Sequence, residues 1–82
     1  MGLFRKHNNG IAAAFQKVME HGRRETESEF LDSLNLIVNA VVEDESYTIN
    51  EKLKIYELLS MIANCSPSQR ARYARRLIRV LE

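Results

Sequence analysis

The chain has no tryptophan, a single cysteine, a single proline and only three glycines. One cysteine, Cys65, cannot close a disulfide within the chain, and its solitary presence agrees with a reducing compartment. With so little proline and glycine, nothing in the composition marks a collagenous, low-complexity or linker-rich protein, and helices can run with few interruptions. No apolar run approaches the roughly 20 residues needed to cross a bilayer, so membrane insertion is not expected. The start, MGLFRKHNNG, lacks the sustained apolar core and cleavage site of a secretory signal, and position 6 is Lys, so Gly2 does not sit in a myristoylation motif. A cytoplasmic protein is the expectation.

Catalytic and ligand-binding groups are equally sparse. The two histidines, His7 and His21, have no accompanying cluster of metal ligands, and no Ser/His/Asp or Cys/His arrangement can be assembled. His21 beside Gly22 is poorly placed for phosphotransfer, which needs an imidazole exposed in the middle of a bundle helix. Cys65 reads as a small packing residue at a helix junction. The expectation is a protein that is not an enzyme and needs no cofactor.

What the chain does contain is helical periodicity. An 82-residue domain buries only about 60 to 65% of the surface its unfolded form exposes, so its core is thin. Without a disulfide or metal, burial against a second copy is the usual remedy, and a homodimer is expected. Residues 1–9 show no periodicity and read as a flexible segment. A single helical domain then spans residues 10–82, with helices at about 11–21, 27–43, 49–64 and 67–81. The fold class is all-α, a small bundle of three to four short helices.

In the first helix Ile11, Phe15 and Val18 share a face beside Ala14 and Met19, and Gly22 reads as its stop. A face this small suggests a loosely attached helix. Thr26 with Glu29 has capping-box spacing, and Phe30, Leu34, Ile37 and Val41 form a row with Leu31, Val38 and Val42 beside it. The polar run EDESYT then predicts a short turn, which makes the second and third helices antiparallel neighbours. The third helix is capped by Thr48 and Glu51, and Leu53, Tyr56, Leu59 and Ala63 recur along it behind Ile49. Ile55, Leu58 and Ile62 widen its apolar face. Ser66, Pro67 and Gln69 predict the next start, with Pro at the first helical position. Ala74, Leu77, Ile78 and Leu81 point inward from the last helix.

Several of these residues together resemble the YcgZ/YmgA/AriR family of small enterobacterial two-component-system connector and biofilm-development proteins. The pattern comprises Ile37, Val38, Val41 and Val42, Asp44 in the turn, Ile49 and Lys52 at the next helix start, Leu58, Leu59 and Ile62, and then Leu77 with Ile78. It covers roughly residues 26–82. The resemblance implies a small helical homodimer that contacts a sensor kinase or response regulator of a phosphorelay controlling biofilm, capsule and acid-resistance genes. Family members have also been discussed as nucleic-acid binders. The chain departs from the pattern in its basic first 24 residues and in the five arginines of its last helix.

Charge is unevenly distributed along the chain although its net value is only +1. Residues 1–24 carry five cations against Glu20, residues 25–57 nine acids against Lys52 and Lys54, and residues 58–82 five arginines against Glu82. Arg72, Arg76 and Arg79 follow helical spacing with Arg75 beside them, so four guanidiniums share one surface suited to a phosphate or carboxylate partner. The plainer reading is a solvated face whose arginines pair with Glu43, Glu45 or Glu57. A third reading makes the last two helices a helix-turn-helix-like DNA-binding unit, with Gln69, Arg70 and Arg72 in the first turns of a recognition helix. Leu31, Val38, Ile55 and Ile62 are the expected dimer contact. A phage or plasmid inhibitor of a host protein fits the same small helical form.

Overall fold

Local hydrogen bonding decides where the helices begin. The computed structural model describes residues 10–82; the segment read as flexible, residues 1–9, lies outside the described residues. Four α-helices follow one another, α1 (Gly10–His21), α2 (Glu27–Glu43), α3 (Ile49–Asn64) and α4 (Arg70–Leu81), and a 3-10 turn at Pro67–Gln69 leads into the last. Two starts are reciprocal capping boxes. The Glu29 amide donates to Thr26 Oγ1 at 3.2 Å and the Thr26 amide to Glu29 Oε1 at 2.9 Å. Thr48 and Glu51 repeat the exchange at 3.1 and 2.8 Å. Each such cap contributes about 1 kcal/mol.

The start of α4 departs from the expected pattern. Pro67 occupies the first position, but the Ser66 hydroxyl caps nothing and lies 3.2 Å from Ser68 Oγ. The Gln69 amide, which a capping box would give to that hydroxyl, is taken by the Ser66 carbonyl at 2.9 Å. That bond tightens the turn to 3-10 geometry.

The core lies where all four helices meet. Phe15, Val41, Ile55, Ile62, Leu77 and Leu81 are completely buried. On α2 the predicted row of Phe30, Leu34, Ile37 and Val41 faces inward. On α3 the two candidate rows resolve in favour of Ile55, Leu58, Leu59 and Ile62, whereas Ile49 and Leu53 are 76% and 58% exposed. Leu53 precedes Ile55 by two residues, about 200° around a helix of 3.6 residues per turn, so both cannot point inward. Ile55 and Ile62, expected as dimer contacts, are therefore core residues. Packed between α2 and α4, they are not accessible to a second copy.

Helix α1 is also more firmly held than its short face suggests. It packs on α2 and α4, with Phe15 fully enclosed and Ala12 beside it. Full burial of one such aromatic side chain stabilises by roughly 1.5 to 3 kcal/mol. Gly22 ends α1, but not by adopting the left-handed conformation, because no described glycine has a positive φ. Its requirement is steric. A Cβ at Gly22 would fall 2.6 Å from Phe30 Cδ1, closer than a packed ring allows.

The α2–α3 turn supplies two contacts of longer range. Lys52 Nζ donates to the Val42 carbonyl at 2.8 Å, satisfying one acceptor left open at the end of α2. Tyr47, assigned by composition to a polar turn, is buried, and its hydroxyl donates to the Leu81 carbonyl at 2.8 Å. Burial, with smaller contributions from the Asp44 and Glu51 carboxylates, pushes the Tyr47 pKa up to about 12. An unfolded tyrosine ionises near pH 10, so between pH 10 and 12 the unfolded state sheds a proton that the folded state keeps, and stability falls. Tyr47→Phe is expected to lose about 1 to 2 kcal/mol in urea denaturation at pH 7. It is also expected to flatten the decline between pH 10 and 12; parallel curves for the two proteins would contradict the contact.

Candidate functional site

The candidate site is built on α4, whose residues divide sharply. Ala74, Leu77 and Leu81 are buried, with Tyr73, Ile78 and Val80 partly so. Arg72, Arg75, Arg76 and Arg79 are exposed on the opposite side of the helix. At 3.6 residues per turn their spacing confines them to a stripe about 100° wide. The structure thus brings together all four arginines expected to share a surface.

These arginines have no acidic partner among the described residues. The expected pairing with Glu43, Glu45 or Glu57 is not made; Glu57 pairs instead with Lys54 at 3.3 Å. The described ion pair that involves α4 belongs to Arg70, whose Nη2 lies 2.6 Å from Glu27 Oε2. Four guanidiniums consequently face outward with their donors free to meet a carboxylate or phosphate.

Arg70 has a different role from the one its sequence position suggests. Its side chain is only 12% exposed. Besides the Glu27 pair, its Nε donates to the Ile62 carbonyl at 3.0 Å and its guanidinium lies 4.4 Å from the centroid of the Phe30 ring. One side chain thereby ties α4 to both α2 and α3. Arg70 is the first member of the i, i+4, i+7, i+11 series that continues as Ala74, Leu77 and Leu81, so its inward position was encoded in the spacing. Of the proposed base-contacting set, Gln69 and Arg72 are exposed and Arg70 is committed internally. A recognition helix would have to do without it.

A second surface lies on the α2–α3 side. Leu31, Leu34, Asn35 and Val38 of α2 and Tyr56, Leu59, Ser60 and Ala63 of α3 border a shallow groove of about 260 Å³. Leu31 is 38% exposed and Val38 is half-buried, so these two expected dimer contacts do reach the surface. Val42, Ile49 and Leu53 extend the same strip beyond the groove and are more than half exposed. The α3 row that first suggests a core divides: Ile49 and Leu53 face outward, Tyr56 and Ala63 are half-buried at the groove, and Leu59 is buried.

Other candidates acquire little chemistry. Cys65 is partly buried, with Sγ 3.7 Å from the Ile62 carbonyl, and His21 is exposed at the end of α1. His7 lies outside the described residues. Among the described residues no group of three or more His, Cys, Asp or Glu is arranged to hold a metal ion, and no helix is long and apolar enough to cross a membrane. No family model matches the chain, and no curated protein or solved structure is significantly similar to it.

The division of the arginines predicts unequal mutational effects. Arg70→Met is expected to destabilise by about 2 kcal/mol through loss of the backbone bond and the stacking on Phe30. Arg75→Gln should stay within about 0.5 kcal/mol of the wild type. The Arg70 hydrogen bond and charge hold the Glu27 carboxyl below its ordinary pKa of 4.5. The stabilisation from that pair is therefore complete above pH 4.5 and is lost as pH falls through the lowered value. Denaturation profiles at acid pH check this, since Arg70→Met should lose less stability than the wild type over that range.

Proposed function

We propose that this protein is a non-enzymatic regulator that works by protein–protein contact in a bacterial two-component phosphorelay. The observation that carries the proposal is the stripe of Arg72, Arg75, Arg76 and Arg79, exposed on the face of α4 opposite the core and without acidic partners among the described residues. Four planar donors on one helix suit the acidic phospho-acceptor region of a receiver domain or an acidic surface on a sensor kinase. The resemblance to the connector family supplies the phosphorelay and the link to biofilm, capsule and acid-resistance control. A cytoplasmic location goes with such partners.

The same reading includes a homodimer, formed through the α2–α3 side. Leu31, Val38, Val42, Ile49, Leu53 and Tyr56 make an apolar strip that two copies related by a two-fold axis can bury against each other. Ile49 and Leu53 take the place that Ile55 and Ile62 held in the sequence-based expectation. The arginine stripe, on another helix, stays free in this arrangement. DNA binding through Gln69 and Arg72 is the weaker reading because Arg70 is engaged with Glu27, Ile62 and Phe30. An inhibitor of a host protein would use the same two surfaces and differs only in its target.

Crosslinking capture with wild type and an Arg75→Glu/Arg79→Glu variant tests the docking surface. Recovery of a sensor kinase or response regulator, reduced at least about tenfold by the variant, is expected. Unchanged recovery, or recovery of nucleic acid alone, would exclude the proposal. Sedimentation tests the dimer separately: the wild type should be dimeric at micromolar concentration and Leu53→Glu a folded monomer. A monomeric wild type would refute that part.

A further inference from the structure

A second groove, between α1 and α4, is separate from the α2–α3 strip and shares Arg75 with the arginine stripe. It encloses about 390 Å³ and is lined by apolar side chains from three helices, among them Met19, Phe30, Ala74 and Ile78. Pro67 and Ala71 also border it. The Phe30 ring is held rigidly there, with Gly22 against one part of it and the Arg70 guanidinium 4.4 Å from its centroid. A side chain at position 22 would force the ring to move. The groove is thus preformed by core packing, at the lower end of the roughly 300 to 1,000 Å³ spanned by small-molecule sites.

Its charge is specific as well. Arg23, Arg70 and Arg75 line the groove against a single acid, Glu20. Arg70 is neutralised by Glu27, so Arg23 and Arg75 against Glu20 leave one positive charge. Arg23 and Arg75 are both exposed, and neither has an ion-pair partner among the described residues. Arg23 comes from the α1–α2 connection and Arg75 from α4, so cations from two separate elements converge on one apolar cleft. A site of this kind, largely apolar with a few polar groups that set orientation, selects a ligand with a matching body and head.

We propose that the α1–α4 groove binds a small amphipathic monoanion, a carboxylate on an aliphatic or aromatic body. The body lies over Phe30, Ala74 and Ile78, and the carboxylate meets Arg23 and Arg75. This goes beyond the regulator reading. Of the docking stripe Arg75 also lines the groove, whereas Arg72, Arg76 and Arg79 do not and Arg23 lies outside the stripe, so a failed protein-capture test would leave the proposal standing.

The test is an amide NMR titration of the full chain with decanoate, decanol and decylammonium, each below its micelle concentration. Decanoate should give saturable shifts at Gly22, Ala71, Ala74 and Ile78, and the neutral and cationic analogues should bind at least about tenfold more weakly. An Arg23→Gln/Arg75→Gln variant, changed only at exposed positions, should weaken decanoate at least about tenfold and leave decanol unchanged. Ala71→Phe, which fills the groove from an exposed position, should abolish the shifts. Equal binding of the three probes, shifts centred on Leu31, Val38 and Tyr56, or no saturation would each overturn the proposal. So would displacement of decanoate by an acidic peptide that binds wild type more tightly, because the groove would then belong to a protein segment.

Discussion

Helix α4 is held by a polar contact at each end, and the orientation so imposed governs everything the surface can do. At its start Arg70 bonds to Glu27 and to the Ile62 carbonyl and lies over Phe30. At its end the Leu81 carbonyl accepts the Tyr47 hydroxyl. Between these points Ala74, Leu77 and Leu81 fill the core. Apolar burial alone is non-directional and tolerates rotation of a short helix; two hydrogen-bonded ends do not. With the inward face fixed, Arg72, Arg75, Arg76 and Arg79 must face outward.

Five arginines of one helix thus do two kinds of work. Arg70 exchanges its contacts with water for internal ones, and its hydrogen bonds compensate the loss of hydration. The other four remain exposed, without acidic partners among the described residues, and their like charges oppose one another along the stripe at a small cost to the isolated helix. Such a cost is offset when an acidic surface covers the stripe. That is the physical reason for reading this face as an interaction surface, with the exposed α2–α3 strip proposed as a contact between copies.

Much of the fold is legible in the sequence because local chemistry and apolar spacing agree. The Thr26–Glu29 and Thr48–Glu51 boxes, the α2 row and the α4 division between apolar and arginine faces are all written at fixed spacings. The all-α bundle follows from them. The errors arise where spacing admits two answers. On α3 both rows are apolar, and only contact with α2 and α4 selects Ile55, Leu58, Leu59 and Ile62 over Ile49 and Leu53. Spacing alone consequently assigns Ile55 and Ile62, with Leu31 and Val38, to a dimer contact, although the first two are core residues. Tyr47 was hidden by its polar neighbours, since its partner is 34 residues away in the chain. Gly22 reads as a helix stop, whereas the Phe30 ring that actually requires a glycine there approaches from another helix. The four-arginine stripe was visible; Arg70's separate role was implied by its spacing and obscured by its charge.

Hydrogen exchange at the arginine Nε–H groups, followed by NMR in the wild-type protein, tests this division most directly. One of the α4 arginines, Arg70, should exchange slowly because its Nε–H is bonded to the Ile62 carbonyl. Arg72, Arg75, Arg76 and Arg79 should exchange at the rate of a solvated guanidinium. Rapid exchange at Arg70, or protection of the four surface arginines comparable to it, would contradict the account.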